Sequence, residues 1–441
     1  MIGPVGRAAL AAGALVELAS VRAIAQPFNV ERPWVIGARP PGGARMTRID
    51  ASRRGLAGTP LPSSGLQTEW RTALGFTAQQ GPLVDSKGRT YVVGESGEVI
   101  ALARDGAVLS RVAARAARPG PPTLLSDDTL VFVDAVGEAV AVRDGAVIWR
   151  SRFGRASETP AAPIALDEGG IVVSSGPDLA VLNAGGRETT RIVLPEPTSH
   201  PLLVALGRVV IVSDTGAVWT WTPGAGQAVR AGSFGSDIDG SAALADDHTL
   251  VAVTTTHTRV STFDLMRGTE AKVAGPVGGL WLGPPAVDAR GGFYALQSTP
   301  GGEVAVAIDS FGTERGRALL AAPTRARSPD TGGSSTGNLS STPPVIDAQG
   351  HLAFATEDGS IGIVSGLVTG LTLSVDGSAQ NATVDLLAEA CNRTPNRAHS
   401  QATVVGLAPL APSGLVAVCR SGLVVAVKGR GLAGGSGAER L

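Results

Sequence analysis

Cysteine is nearly absent. Only Cys391 and Cys419 occur among 441 residues, so at most one disulfide is available. Aromatic residues make up 4% of the chain, which counts against a glycan-binding surface, since such surfaces stack sugars on aromatic rings. Neither sign of charge dominates: the formal net charge is −1 and no basic stripe stands out. Nucleic acid and anionic membrane surfaces are thereby excluded as partners, because both need clustered lysine and arginine. Beyond the first 25 residues no apolar run approaches the ~20 residues of a membrane span. The five histidines, His200, His248, His257, His351 and His399, show no H-x-x-x-H spacing. No G-x-S-x-G elbow and no phosphate-cradling glycine loop occurs. No catalytic, cofactor-binding or metal-binding residue is assigned, and no cofactor is expected.

Glycine and proline, in contrast, are plentiful, at 59 and 29 residues, and 43% of the chain is hydrophobic. Glycines without helical runs mean many turns and many short strands. The stretch from Gly81 to Gly106 shows the unit. Gly81 to Val84 reads as a first strand, Asp85-Ser-Lys-Gly88 as a hairpin turn and Thr90 to Gly94 as a second strand. Glu95-Ser-Gly97 turns the chain again, Val99 to Ala103 forms a third strand, and Asp105-Gly106 closes it.

Aligned on the third strands, a small or β-branched residue recurs at Ala101, Ala141, Ala180, Thr220, Thr262, Ala307, Ile363 and Ala426. The intervals are 40, 39, 40, 42, 45, 56 and 63 residues. The first five match the ~40–45-residue period of a propeller blade, and the last two carry insertions. Arg104-Asp-Gly-Ala-Val108 recurs intact as Arg143-Asp-Gly-Ala-Val147. Prolines at 82, 122, 163, 201, 285 and 344 open first strands, where a missing N–H costs least. The strands are nearly continuous apolar runs, as expected of sheets buried on both faces. The expected fold is all-β: an eight-bladed β-propeller over residues 67–428. Seven blades is the alternative, because Val260 to Asp264 is the least typical third strand. The last unit lacks a fourth strand, and Thr68 to Leu74 precedes the first unit unpaired. The expectation is that this N-terminal strand closes the last blade and removes an open edge.

Residues 1–25 read as an export signal, with Arg7, an apolar run from Ala8 to Val16, and Ala23-Ile24-Ala25 as a cleavage site. No cysteine stands near that site, so an N-terminal lipid anchor is not expected. Residues 26–66 read as an extended arm, with Arg45 to Asp50 a candidate short strand. Residues 323–342 read as a flexible loop, 371–400 as an insertion with helical turns at Asp385 to Ala390, and 429–441 as a disordered tail.

Asp85, Asp127, Asp128, Asp167, Asp246, Asp247, Asp288 and Asp347 fall at the same hairpin of successive units. A carboxylate ring for cations is one reading, but aspartate hydrogen-bonds its own backbone in such turns, and turn chemistry is the simpler account. Asp237-Ile-Asp239-Gly240 lacks the distal glutamate of a calcium loop and reads as a turn. Trp219 and Trp221 share one strand face and are expected to pack between blades. Cys391 and Cys419 are a candidate disulfide in an exported protein, with two buried thiols as the alternative.

The repeated Pro-x-x-Asp-x-x-Gly, an apolar strand, Ser-Gly-x-x-x-Ala and Asp-Gly resemble the pyrroloquinoline-quinone-like β-propeller repeat. That family includes quinoprotein alcohol dehydrogenases and a non-enzymatic propeller subunit of the outer-membrane β-barrel assembly machine, which the blade layout resembles. The resemblance implies the fold. The enzymes of the family set a pair of adjacent cysteines against the quinone and carry a docking tryptophan in nearly every blade. Here Cys391 and Cys419 are not adjacent, and only Trp70 and Trp149 hold comparable outer-strand positions. The expected function is a non-catalytic, exported, monomeric scaffold that binds a protein partner in the periplasm or outside the cell. Two alternatives are a quinone-binding or quinoprotein-type enzyme using the central funnel, and a glycan-binding propeller.

Overall fold

The computed structural model describes residues 49–51, 53–166, 170–255, 259–273, 279–321, 342–356, 359–367, 383–387, 390–391 and 403–430. They form eight small antiparallel sheets, each one blade. Blade 1 comprises Leu83–Val84, Thr90–Val93, Glu98–Leu102 and Val108–Ala113. Blade 2 comprises Thr123–Leu124, Leu130–Val133, Glu138–Arg143 and Ala146–Arg152. In blade 3, Ile164–Ala165 pairs with the start of Ile171–Leu182 and Glu188–Thr198 with its end; Ile171–Leu182 folds back near Gly176, which brings Leu182 against Gly170, so it supplies the second and third strands as a hairpin. Blade 4 is Leu203–Ala205, Arg208–Val212, Ala217–Trp221 and Val229–Ser233. Blade 5 is Ala243–Leu244, Thr249–Val253, Val260–Asp264 and Thr269–Val273. Blade 6 is Leu280–Val287, Phe293–Thr299, Gly302–Ile308 and Glu314–Ala321, and blade 7 is Val345–Ile346, Leu352–Ala355, Ile361–Ser365 and Thr383–Leu387. Blade 8 takes Val404–Leu410, Gly414–Cys419 and Leu423–Lys428 from the C-terminal end and Gln67–Ala73 from the N-terminal end.

Eight sheets settle the blade number against seven, and Val260–Asp264 is an ordinary third strand paired on both sides. First and second strands are buried and apolar, whereas outer strands alternate exposed and half-buried residues, as in Ala146–Arg152. Apolar clusters lie between neighbouring sheets; one unites blades 5 and 6, another blades 4 and 5. Trp219 and Trp221 belong to the cluster shared by blades 2, 3 and 4, with Trp221 fully buried.

Two local expectations are corrected. Residues 383–387 are the outer strand of blade 7, paired with Ile361–Ser365, and not helical turns. The free edge of the third strand offers this segment a row of hydrogen bonds, which outweighs the helix preference of Leu386 and Leu387. Pro285 does not open a strand; it lies inside Leu280–Val287, at the bulge between Leu282 and Ala286 where no ladder N–H is needed. The expected leader, the loop at 323–341, most of the 371–400 insertion and the tail from 431 lie outside the described residues, as do Asp167, His257 and His399.

Closure is antiparallel. Trp70 pairs with Ala426, Thr72 with Val424 and Ala73 with Leu423. The Trp70 indole then reaches into blade 1: its Nε1–H donates to the Arg104 carbonyl at 2.8 Å. Gly106 allows this, because a Cβ there would lie 2.6 Å from the Trp70 ring. Trp149 in blade 2 makes the same contact with blade 3, donating to the Ala184 carbonyl at 2.9 Å beside Gly186.

The segment before the closing strand runs along the axis. Ile49, Ala51 and Leu56 each join a different apolar cluster between blades. The Ala51 carbonyl accepts from Val204 N in blade 4, at 3.0 Å, and the Arg54 carbonyl from Val287 N in blade 6, at 2.7 Å. The Gly55 carbonyl accepts from Ile346 N in blade 7, at 2.8 Å. A stretch of so few residues can bond this many first strands only where those strands converge.

Candidate functional site

Antiparallel connection puts the first-to-second and third-to-fourth turns of every blade on one rim, the turn face. The second-to-third turns and the links between blades form the opposite, linker face. The described aspartates picked out by the sequence sit on the turn face, and most of their carboxylates are held by the backbone of their own turns. Asp85 accepts from the amides of Lys87 and Arg89 at 2.8 and 2.9 Å. Asp288 accepts from Arg290 and Gly292 at 2.7 and 2.9 Å, and Asp347 from Gln349 and His351, both at 2.9 Å. Asp127 binds the Thr129 amide and pairs with Arg143, which together hold its carboxyl below the usual range against partial burial. Asp128 is taken by Arg89 and Lys87.

Asp246, Asp247 and His248 bring their ligand atoms within 4.8 Å of one another on the turn face of blade 5. The hydrogen bond from the imidazole to Asp247, 2.5 Å long, raises the His248 pKa, with the charges of Asp246 and Asp264 adding to it. Asp246 meanwhile caps the turn through the amides of His248 and Thr249. This is the turn chemistry of the other blades with a histidine added.

What the sequence reading missed on this rim is apolar. Leu206, Met266 and Phe311 stand at turns of blades 4, 5 and 6, and are 46%, 73% and 89% exposed. Met266 and Phe311 occupy third-to-fourth turns whose aspartates, Asp264 and Asp309, bind the backbone amides of Met266 and Phe311. The legible signal was a large apolar side chain inside an aspartate–glycine turn, where polar residues are usual.

On the linker face, His200 is buried with both ring nitrogens facing oxygen. Nδ1 lies 2.9 Å from the Gly240 carbonyl and Nε2 lies 2.8 Å from Asp237. Burial opposes the charge, but these two acceptors prevail and the pKa is raised. Asp239 accepts from Gly283 N at 3.0 Å, so Asp237 to Gly240 ties successive links together. Cys391 and Cys419 are joined by a disulfide with Cα atoms 5.7 Å apart, linking the end of blade 7 to the second strand of blade 8.

The axis is the place for a quinone in this architecture, and its residues do not fit one. Arg53 is fully buried there; Nε donates to the Leu202 carbonyl and Nη2 to the Pro163 carbonyl, both at 2.9 Å. Burial lowers its pKa to about 10, against the pull of Asp50. Arg54 donates Nε to the Leu244 carbonyl at 2.7 Å, and burial lowers its pKa too. Leu56 and Ala57 continue the segment, both buried. The two cysteines are joined to each other between blades 7 and 8 and are not adjacent in sequence, unlike the pair set against the quinone in the quinoprotein enzymes. Among the described residues no helix is long and apolar enough to cross a membrane.

Comparison with known proteins agrees with this architecture. Residues 133–372 match a family profile described as outer membrane protein assembly factor BamB. No curated protein matches the sequence. BamB from Moraxella catarrhalis superposes with a TM-score of 0.53 at 16% identity, over 86% of this chain and 100% of that one. Quinohemoprotein alcohol dehydrogenase from Comamonas testosteroni superposes with a TM-score of 0.61 at 9% identity, over 91% and 82%. A computationally designed protein, Ika8, gives 0.54 at 14% identity, over 80% and 96%. At such identities these three likenesses speak for the fold alone.

Proposed function

The chain belongs to the pyrroloquinoline-quinone-like propeller family whose profile carries the BamB description, and on that premise we propose that it is a non-catalytic, exported scaffold that binds a protein partner. The observation that carries this reading is a contrast between the two places a propeller uses. The axis is taken up by the chain's own Arg53, Arg54 and Leu56, while the turn face presents Leu206, Met266 and Phe311 to solvent. Exposed apolar side chains on adjacent rigid blades are what a protein interface desolvates. The disulfide supports export, since such bonds persist in oxidising compartments.

A photo-reactive phenylalanine placed at 311 is expected to cross-link a partner in the source envelope fraction. The same group at Val136, on the linker face of blade 2 and 38% exposed, is expected to give no adduct. Equal labelling from both positions, or dye-linked turnover with added quinone, would overturn the reading.

A further inference from the structure

The gap between blades 1 and 2 lacks the side chain that fills the gaps on either side of it. In blade 8 the row across the sheet is Val416, Ala426, Trp70. In blade 2 it is Val131, Ala141, Trp149. In each, the tryptophan leans out of the row and lies on a glycine of the next blade's third-to-fourth turn, Gly106 or Gly186. In blade 1 the same row reads Tyr91, Ala101, Ser110. A hydroxymethyl group stands where its neighbours carry an indole, and blade 2 presents to it the second copy of Arg-Asp-Gly-Ala-Val, with Gly145 close to Ser110.

A cavity of about 340 Å³ remains there, lined by Ala101, Ser110, Leu130, Val142 and Gly145 among others. That size is at the small end of ligand sites and suits one ring system rather than an extended molecule. Arg191, Val229, Ala271, Gly316 and Asp385 take the equivalent register position in blades 3 to 7, so a tryptophan is not obligatory. At the first gap the Arg-Asp-Gly-Ala-Val sequence of the receiving turn is kept, in a tighter turn, while the indole is gone.

We propose that this cavity receives a tryptophan side chain from a partner protein, a second contact separate from the patch of Leu206, Met266 and Phe311. The chemistry of the walls matches an indole. The floor is aliphatic. The guanidinia of Arg89 and Arg143 stand at the mouth, 25% and 41% exposed, where a π face attracts cations. Arg89 already lies 5.8 Å from the Tyr91 ring centre, so the arrangement is present in small. The indole N–H needs an acceptor. The turn of blade 2 is tighter than that of blade 1, with Arg143 paired directly to Ala146, so the free carbonyl that serves Trp70 is not reproduced. Asp144 replaces it: its carboxylate is 86% exposed at the rim, 3.9 Å from Arg143 Nε. Leu109, 54% exposed beside the mouth, offers apolar surface to the residues flanking the incoming tryptophan.

The test is a ¹⁹F NMR titration of a short peptide carrying 5-fluorotryptophan against the full, oxidised chain. A saturable shift of the fluorine signal is expected, absent for the same peptide when the protein is Ser110→Trp, which fills the cavity from within and melts at a higher temperature. Ser110→Phe serves if the first variant fails to fold, and is expected to weaken binding at least tenfold. Phe311→Ser is expected to leave the titration unchanged, which separates this site from the apolar patch of blades 4 to 6. No saturable shift, or an equal shift with the cavity filled, would overturn the proposal. Binding of free 5-fluoroindole without binding of the peptide would overturn it as well, by making the occupant a small molecule.

Discussion

Buried charge is the sharpest feature at the scale of single residues. Arg53 donates to two backbone carbonyls at 2.9 Å from two different blades. Arg53→Ala would strand those acceptors away from water, each loss worth ~1–3 kcal/mol. The expected destabilisation is about 3 kcal/mol, read from urea unfolding, and Arg53→Lys is expected to recover little because one ammonium cannot reproduce the fork. Gly55 beside it has φ +68°, and a Cβ would lie 2.8 Å from the Pro344 carbonyl, so Gly55→Ala is expected to destabilise too. His200 gives the pH dependence. Its folded pKa lies above the ordinary value, so its contribution is complete below ~6.5. That contribution is lost as pH rises through the folded pKa. His248 and His351 shift the same way. Stability is therefore expected to fall from pH 6 towards pH 9, and His200→Asn should flatten part of that slope. The turn aspartates were legible because their bonds are local. Arg53 and Arg54 were not: two arginines in a Pro/Gly-rich stretch read as solvated, and only contacts more than a hundred residues away in sequence bury them.

Elements were the most legible scale. The third strands fall where the repeat placed them, because a period-forty pattern of apolar runs and glycine turns has few other solutions. The closing strand was legible by subtraction, one strand short at one end and one strand over at the other. What failed was the outer strand of blade 7, whose composition is weakly helical and whose partner edge is a tertiary fact. Deleting residues 67–73 is expected to bare the Leu423–Lys428 edge and promote aggregation, seen by light scattering. Trp70→Ala is a milder form of the same lesion, expected to cost about 2 kcal/mol from lost burial. The Cys391–Cys419 bond closes a loop of 28 residues between blades 7 and 8. Replacing both cysteines with serine is expected to lower stability by about 3 kcal/mol, with the loss absent when wild type and variant are compared under reducing conditions.

At the scale of the molecule, residues 49–51 and 53–57 lie along the axis, bonded to first strands of several blades. Sequence reading placed this segment outside the ring as an arm, since nothing local marks a chain segment as axial. Hydrogen exchange separates the two pictures. The amides of Ala57, Val204 and Ile346, which bond across the segment, are expected to be as protected as those of the central strands. Arm-like exchange at Ala57 would contradict the axial path. With residues 49–51 and 53–57 on the axis, partners are left the rims and the outer strands, and Phe311 and Met266 on the turn face are the most exposed of the large apolar side chains among the described residues.

The axial segment and the closing strand also set a clock. Residues 49–73 leave the ribosome before any complete blade, yet their partners are spread from blade 3 to Lys428 in blade 8. This segment therefore has its final contacts only after blade 8 has been made. Contacts so distant in sequence make folding slow, and incomplete chains expose unpaired edges. Chains truncated after blade 6 are expected to stay protease-sensitive throughout residues 49–73, and full-length chains to acquire resistance there last. The ring is thus completed by its beginning, after its end has arrived.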